Sequence, residues 1–540
     1  MGNRPKRFGV SRRMLVGAAV AAAGLGWAGT TLARLGRDPS GPKSLGRIAD
    51  IDGAPLAAQP LAQAPAHDPA LPWSMKGGEM NDASALSRTP VYGVVEVTEE
   101  AHVAAALAFA RQNGLKVSMA AVRHSMGGHA FDDNALVLDM LKFNRVELDE
   151  TARTITVQPG ARWHDIQNVL HPRFAVKAMQ SSDIFSVGGS ISVNAHGMDH
   201  QVGSIARTIR SMRVMLADGS VVACSASENA DLFRHVVGGY GLFGVVLSAV
   251  IEITDNVVYR TTREVIRTDE FPAFFRDKLE ADPGIGLFYG HLSTAPGNFM
   301  EDMIVYRYDR VADQPPPGTP ALAEPSGVTL KRLIMNLAKH GGVFQRMKWF
   351  AEETLEPKFE ACTVPRSEAL TEGEACLVTR NDPMHDSVSY LFNDLQDDTD
   401  ILHEYFVPRE RFAAFVEAAR EILRNQPLQL LNASVRVVHA EDVALTYAPE
   451  PAFSLVLYVN QSADAEGNAY MRALTRAMID LTLAHGGRFF LPYQLHYTAG
   501  QLRTSYPELA AFLARKKEVD PGELFGSTFY RAVKLLSETA

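Results

Sequence analysis

Three glycine-bearing loops within one mixed stretch of helix and strand constrain this chain more than any other feature. They are His124-Ser-Met-Gly-Gly-His129, Ser186-Val-Gly-Gly-Ser-Ile-Ser-Val-Asn-Ala-His-Gly197 and Gly238-Gly-Tyr-Gly-Leu-Phe-Gly244. Glycine removes the Cβ that keeps backbone amides apart, and converging amides make a nest for an anion such as a diphosphate. Any one loop reads more simply as a tight turn, because glycine punctuates turns generally. Three in one unit fit a dinucleotide. Gly239-Tyr-Gly-Leu-Phe-Gly244 satisfies G-x-G-x-x-G, yet it follows a helical stretch and opens a strand. The nicotinamide fingerprint follows a strand and opens a helix, so a Rossmann reading is rejected.

The flanking pattern says what carries these loops. Residues 91–97 are valine-rich, Thr98-Glu99-Glu100 offers a cap, Val103, Leu107 and Ala110 keep helical spacing, and Asn113-Gly114 is a stop. Strand and capped helix are therefore expected, with a second strand at 116–122 completing a β-α-β unit that ends in Arg123-His124-Ser125. Further strands are expected at 135–140 and 154–158, a helix at 163–170, a hairpin of 211–217 and 220–224 around Asp218-Gly219, a helix at 229–237 and a strand at 243–254. Residues 89–256 read as one α+β unit. Beyond it, the proline-rich 310–328 reads as a surface loop, 409–424 as an amphipathic helix and 454–458 as a strand.

Composition narrows the partners. With 53 Lys+Arg against 62 Asp+Glu and a net charge of −9, the chain lacks the basic excess that phosphate neutralisation needs, so no nucleic-acid partner is expected. Cys224, Cys362 and Cys376 are too few for a disulfide framework and have no C-x-x-C spacing for zinc. Residues 1–33 differ from the rest. Arg4, Lys6 and Arg7 precede Ser11-Arg12-Arg13-Met14-Leu15 and an uncharged run over 14–33, which resembles a twin-arginine export signal and predicts a periplasmic or extracytoplasmic protein. The alternative is an uncleaved helix attaching the protein to a membrane through residues 14–33. Residues 34–85 read as a Pro/Ala-rich linker.

The unit ending in Arg123-His124-Ser125, the Ser186-Val-Gly-Gly-Ser190 and Ala195-His196-Gly197 stretch, the Asp218-Gly219 hairpin and residues 238–246 resemble, in order and spacing, the FAD domain of the vanillyl-alcohol oxidase superfamily. Within it the chain is similar to alditol oxidases, sugar-lactone oxidases and the decaprenylphosphoryl-ribose oxidases that work in an epimerase pair. The likeness continues through residues 402–410, Val435-Arg436-Val437, His496, Tyr506-Pro507 and Phe529-Tyr530-Arg531. It implies an α+β fold, with a two-subdomain PCMH-type FAD-binding domain over 86–258. A substrate (cap) domain with an antiparallel sheet follows over 259–500, and a C-terminal segment, 501–540, returns to the first domain.

The resemblance also implies a chemistry: oxidation of a hydroxyl group of an alcohol, polyol, sugar or lactone by FAD, with oxygen or a quinone-like carrier as electron acceptor. It places His124 where an imidazole bonds covalently to a flavin ring methyl. Around the cofactor it places Val122, Arg123, Ser125, Met126, Gly127, Gly128, His129, Gly188, Gly189, Ser190, Asn194, His196, Gly197, Gly244 and Val246. Arg436, Glu404, His496 and Ser190 are the implied catalytic candidates. On residue pattern alone Arg436 reads as an ordinary strand residue, and His124 as hydrogen-bonded within its loop. No metal is expected, since His196 and His200 have Gly197 between them and no third ligand. Two departures bear on the substrate: the alditol oxidases carry a glutamate and a lysine where this chain has Ser434 and Gly500. A less polar alcohol, a lactone and a lipid-linked sugar stay open, as do an epimerisation partner and a flavin-holding protein without turnover.

Overall fold

The computed structural model describes residues 48, 50–56, 64–324, 328–355, 377–386, 388, 397–424 and 429–538. The expected export signal, Cys362 and Cys376 lie outside the described residues. Among the described residues no helix is long and apolar enough to cross a membrane.

Helix and sheet are mixed as α+β. Strands β1 (Trp73–Lys76), β2 (Gly93–Glu96), β3 (Val117–Ala120) and β4 (Leu136–Asp139) form a sheet in the order β1-β2-β4-β3, with β2, β4 and β3 parallel. The crossover from β2 to β3 is helix α1 (Glu100–Asn113), which buries Val103, Ala106, Leu107, Phe109 and Ala110. It stops as expected: Gly114 takes φ 65° and its N–H reaches the carbonyls of Ala110 and Arg111. Its start differs. Glu99 holds the N-cap position without a side-chain cap bond, and Thr98 Oγ1 instead meets His102 Nδ1 at 3.3 Å.

A second sheet contains β5 (Val146–Asp149), β6 (Thr154–Val157), β7 (Phe174–Val176), β8 (Ile209–Met215), β9 (Val221–Cys224) and β10 (Val245–Asp255), all antiparallel. The order is β9-β8-β10-β6-β5, with β7 also on β10. Gly219 turns the β8–β9 hairpin at φ 90°, and helix α2 (Trp163–Leu170) falls at its expected residues.

The largest sheet has eight antiparallel strands: β11 (Val258–Arg267), β12 (Ile285–Leu292), β13 (Asp302–Ala312), β14 (Leu377–Thr379), β15 (Asp398–Pro408), β16 (Gln429–Val438), β17 (Ala452–Ser462) and β18 (Arg488–Phe489). Their order is β14-β11-β13-β12-β16-β17-β15-β18. Side chains alternate across a strand. One face of this sheet joins the main core through Phe288, Val435, Val437, Leu455 and Leu457, together with Phe412 and Phe415 of the helix Phe412–Arg424 and Met471 and Met478 of the helix Ala465–Ala484. The other face is left for the site. Near the C-terminus Phe525 bridges to Val117, and Thr528 and Phe529 donate backbone N–H groups to the carbonyls of Phe131 and His129.

Candidate active site

A cavity of about 1240 Å³ lies between the carboxyl end of β3, the glycine segments and the open face of the large sheet. It exceeds the roughly 300–1,000 Å³ usual for small-molecule pockets, so it has room for a large cofactor beside a substrate. Loops beyond the carboxyl ends of parallel strands are where such sheets bind ligands.

The first wall begins with residues 121–126, directly after β3, which bring Val122, Arg123, His124, Ser125 and Met126 to the cavity. Gly127 and Gly128 shape the turn rather than line it. A Cβ on Gly127 would sit 2.0 Å from the His129 ring, and Gly128 N donates to the half-buried Asp82 Oδ2 at 2.8 Å. Burial pushes the Asp82 carboxyl up to about 6, against hydrogen bonds from Ser84 and Gly128. His124 stands edge-on to Phe185, ring centroids 5.0 Å apart. Burial pushes its imidazole down to about 4, so it is neutral near pH 7. His129 also lines the cavity, is pushed down to about 4 by burial, and its Nδ1 has no hydrogen-bond partner.

The second glycine segment, expected as a loop, is a helix, α3 (Val187–Val193), despite two glycines. Close packing explains them: a Cβ on Gly188 would lie 2.7 Å from Pro159 Cβ, whereas one on Gly189 meets only Ser186 Oγ, at 3.3 Å. Gly189 therefore leaves the wall open. The helical period sends Gly188, Gly189, Ser192 and Val193 to the cavity and turns Val187, Ser190 and Ile191 inward. Ser190 is thus fully buried, accepting from Trp163 Nε1 at 2.9 Å and donating to Gln180 Oε1 at 2.7 Å. It does not line the cavity. Nor does Asn194, which ends α3 in the left-handed region and donates to Glu441 Oε2 at 3.1 Å. Gly197 allows a backbone approach instead, as a Cβ there would be 2.0 Å from Met179 O. Gly244 and Val246, at the start of β10, do line the cavity. The third glycine segment follows the helix Ala230–Val236 and opens β10, the order that excludes a Rossmann turn.

The second wall is the open face of the large sheet. His291, Ser434, Val456 and Glu404 form one cross-strand row, and Asn432, Tyr458 and Leu402 the next. Glu404 Oε1 lies 2.9 Å from His196 Nε2, with side chains only 4% and 5% exposed. Tyr493 donates to Glu404 Oε2 at 3.4 Å, and His196 Nδ1 is buried without a hydrogen-bond partner. Arg436 stacks on Tyr289, 4.4 Å from the ring centroid, and its Nε donates to Ser181 Oγ at 3.0 Å. Burial draws the Arg436 guanidinium down, against the pull of Tyr289 and Glu404. His496 does not reach the cavity. Burial and then His403 push its imidazole well down, and His403, one residue from Glu404 on β15, belongs to the opposite face of the strand.

Sequence reasoning passed over the far end of the cavity, where Tyr289, His291, Tyr306, Lys348, Glu352, Asn432 and Tyr458 gather. Burial pushes the Glu352 carboxyl up, but Lys348 at 2.5 Å and His291 at 3.2 Å outweigh it and hold it at about 2. The available signal was period two: 289 and 291, 306 and 308, 432, 434 and 436, 456 and 458, and 402 and 404 all line one space. At the rim, Leu330 and Ile334 line the cavity while remaining 62% and 36% exposed.

Residues 91–225 match the model of an FAD binding domain. Over 446 residues the chain is 24% identical to decaprenylphosphoryl-beta-D-ribose oxidase of Mycolicibacterium smegmatis, covering 79% of this chain and 91% of that one. It is 25% identical over 421 residues to alditol oxidase of a Streptomyces species, covering 75% and 88%. It is also 31% identical over 161 residues to L-gulonolactone oxidase of Mus musculus, 29% of this chain and 36% of that one. The first wall fits FAD. Gly188, Gly189 and Gly244 leave room along it, and the unpartnered Nδ1 of His129 supplies a buried polar atom.

Proposed function

We propose, for a chain that belongs to the FAD-linked oxidoreductases of the vanillyl-alcohol oxidase superfamily, that it oxidises a CH–OH group of a sugar, alcohol or lactone in the cavity between the glycine wall and the large sheet. The observation that carries this reading is that two buried polar groups of opposite use, the Glu404–His196 pair and Arg436, face the same space as Gly189 and His124. FAD bound along the first wall supplies the hydride acceptor. The chain's own residues do the rest. As the substrate C–H bond gives up its hydride and the carbonyl forms, the hydroxyl proton passes to the pair. Glu404 holds the Nε2 side of His196 and leaves Nδ1 as the acceptor, and the resulting imidazolium is stabilised by the carboxylate beside it. Arg436, kept in place by Tyr289 and Ser181, adds positive charge for the electrons arriving at the wall.

A neutral imidazole has the lone pair that attachment to a ring methyl needs, and His124 is neutral. Such an attachment would replace an N–H and a C–H with one N–C bond, and the two protons and two electrons released would pass to the acceptor that reoxidises the cofactor. Oxygen is that acceptor, and Gly189 leaves space for it. The division into a PCMH-type domain at 86–258, a cap domain at 259–500 and a returning segment at 501–540 belongs to the same reading, as does twin-arginine export by residues 1–33.

A second reading, a substrate carrying an apolar tail such as a lipid-linked sugar for epimerisation, is favoured by exposed Leu330 and Ile334 at the rim. The test is anaerobic bleaching of the purified yellow protein by a panel of alditols, aldonolactones, xylooligosaccharides and lipid-linked pentoses. Bleaching by at least one supports turnover, and a flavin that none of them reduces overturns it. Arg436→Ala should slow bleaching at least tenfold while leaving the flavin bound.

A further inference from the structure

His164, Glu324 and His385 come from three separate places, yet their ligand-type atoms lie within 4.8 Å of one another. His164 is on α2, Glu324 follows β13 in the proline-rich stretch, and His385 ends the turn after β14. The two imidazoles stack at 4.6 Å and 20°. Behind them the carboxylate of Asp183, 1% exposed, takes the Nδ1 of both: Oδ2 lies 2.9 Å from His164 Nδ1 and 3.1 Å from His385 Nδ1.

The tautomer of His385 is fixed by its neighbours. Its Nδ1 faces two acceptors, Asp183 Oδ2 and Gln167 Oε1 at 3.1 Å, and the Gln167 amide is oriented because its Nε2 donates to Asn381 O at 3.2 Å. Nδ1 therefore carries the proton and Nε2 carries a lone pair. That Nε2 is buried with no hydrogen-bond partner, on a side chain only 2% exposed. A buried acceptor without a donor is unfavourable, and a cation relieves it. An ion pair of protonated His164 with Glu324 accounts for His164 alone and leaves His385 Nε2 unsatisfied.

The geometry points to a divalent cation site, which we assign to zinc, with His164 Nε2, His385 Nε2 and a Glu324 carboxylate oxygen as ligands and water as the fourth. Two imidazoles and a carboxylate are a zinc donor set, and carboxylate-to-Nδ1 hydrogen bonds behind ligating histidines are the usual outer support. A tetrahedron with bonds of about 2.0–2.1 Å has edges of about 3.3 Å, and His164 Nε2 to Glu324 Oε1 is 3.3 Å. The charge also balances, two positive against the carboxylates of Glu324 and Asp183. The expectation from sequence of no metal rested on cysteine spacing and on His196 and His200, none of which belongs to this cluster. The ion does no redox work. It ties α2, the proline-rich stretch and the 382–386 turn together at the cavity rim, where Pro383 and Asp386 are lining residues.

The test uses the flavin-loaded protein stripped with a chelator, then dialysed against Zn²⁺ or Co²⁺ alone. One Zn²⁺ per chain is expected, with Co²⁺ giving the intense visible bands of four-coordinate cobalt to the red of the flavin and Zn²⁺ raising the melting temperature. Glu324→Gln, on an exposed side chain that cannot compromise folding, should weaken Zn²⁺ binding at least about tenfold, and Asp183→Asn about 10–100-fold. Substoichiometric Zn²⁺ on the unaltered protein, or Glu324→Gln and His385→Gln proteins that bind as tightly as it does, would overturn the assignment.

Discussion

Glu404→Gln separates the chemical role of the His196 pair from its structural one. The amide keeps the shape of the carboxylate, stays 2.9 Å from His196 Nε2 and still accepts from Tyr493. Stability therefore changes only by the difference between a hydrogen bond to a charged group, about 1.5–3 kcal/mol, and a neutral one, about 0.5–1.5 kcal/mol, which is a loss of about 1 kcal/mol. The rate changes far more. Without the carboxylate, protonation of His196 Nδ1 leaves an imidazolium buried without a counter-charge. A positioned base is worth about 10²–10⁴ in rate, or roughly 3–5 kcal/mol of barrier. Anaerobic stopped-flow bleaching with the best substrate of the panel reads the rate, and urea unfolding reads the stability. Because the two groups act as a unit, the double variant with His196→Asn should cost no more than the worse single one. A Glu404→Gln protein reduced within about threefold of the parent rate, with the small stability loss present, would remove the pair from the chemistry.

His124→Ala should still bind flavin through the glycine wall but release it on acid precipitation, and yellow colour remaining with the pellet of that variant would refute the linkage. His129 and His403, both pushed down to about 4 by burial, bind fewer protons folded than unfolded below about pH 6.5. Stability therefore falls as pH drops, by about 2 kcal/mol for each at pH 5 relative to pH 7. Asp82, pushed up to about 6, works in the opposite sense and offsets about 1 kcal/mol, leaving a loss of about 3 kcal/mol from these three groups, to which His124 adds in the same sense. Urea unfolding at the two pH values checks this, and equal or greater stability at pH 5 contradicts it. Leu330→Glu with Ile334→Glu should weaken an apolar-tailed substrate about 10–100-fold, from roughly 1.5–3 kcal/mol for burying the exposed parts of the two side chains together, and leave a short sugar unaffected. Equal effects on both substrates would dismiss the tail.

What could be read ahead of the fold follows from where the information lies. The α1 crossover, α2 and the Asp218-Gly219 hairpin are set by local periodicity and by single glycines, so their positions follow from neighbours in the chain. Helix α3 is not local. Its glycines argue against a helix until Pro159 arrives against Gly188, a contact between residues 29 apart in the sequence. Ser190 follows from the same contact: read as a loop residue beside Gly189 it would share the cavity, whereas on a helix it turns to Trp163 and Gln180. The polar end around His291, Lys348 and Glu352 combines a strand with a helical segment some 60 residues later, and no spacing rule joins them.

One short segment, residues 181–185, joins features that the strands and helices hold apart. Ser181 accepts from Arg436, Asp183 supports His164 and His385, and Phe185 meets the His124 ring. Its backbone is held at its middle and at one end: Asp183 N donates to Asp386 O at 3.2 Å, while Trp163 N donates to Phe185 O at 3.1 Å and His164 N to Asp183 O at 3.0 Å. Arg436 of the second wall and His124 of the first are therefore registered against the same few backbone atoms. A lost support at Asp183 is felt within two residues in either direction, at Ser181 and at Phe185. Small changes of position there carry weight, because hydride transfer depends on sub-ångström approach. Asp183 thus sits between supports of both walls without lining the cavity itself.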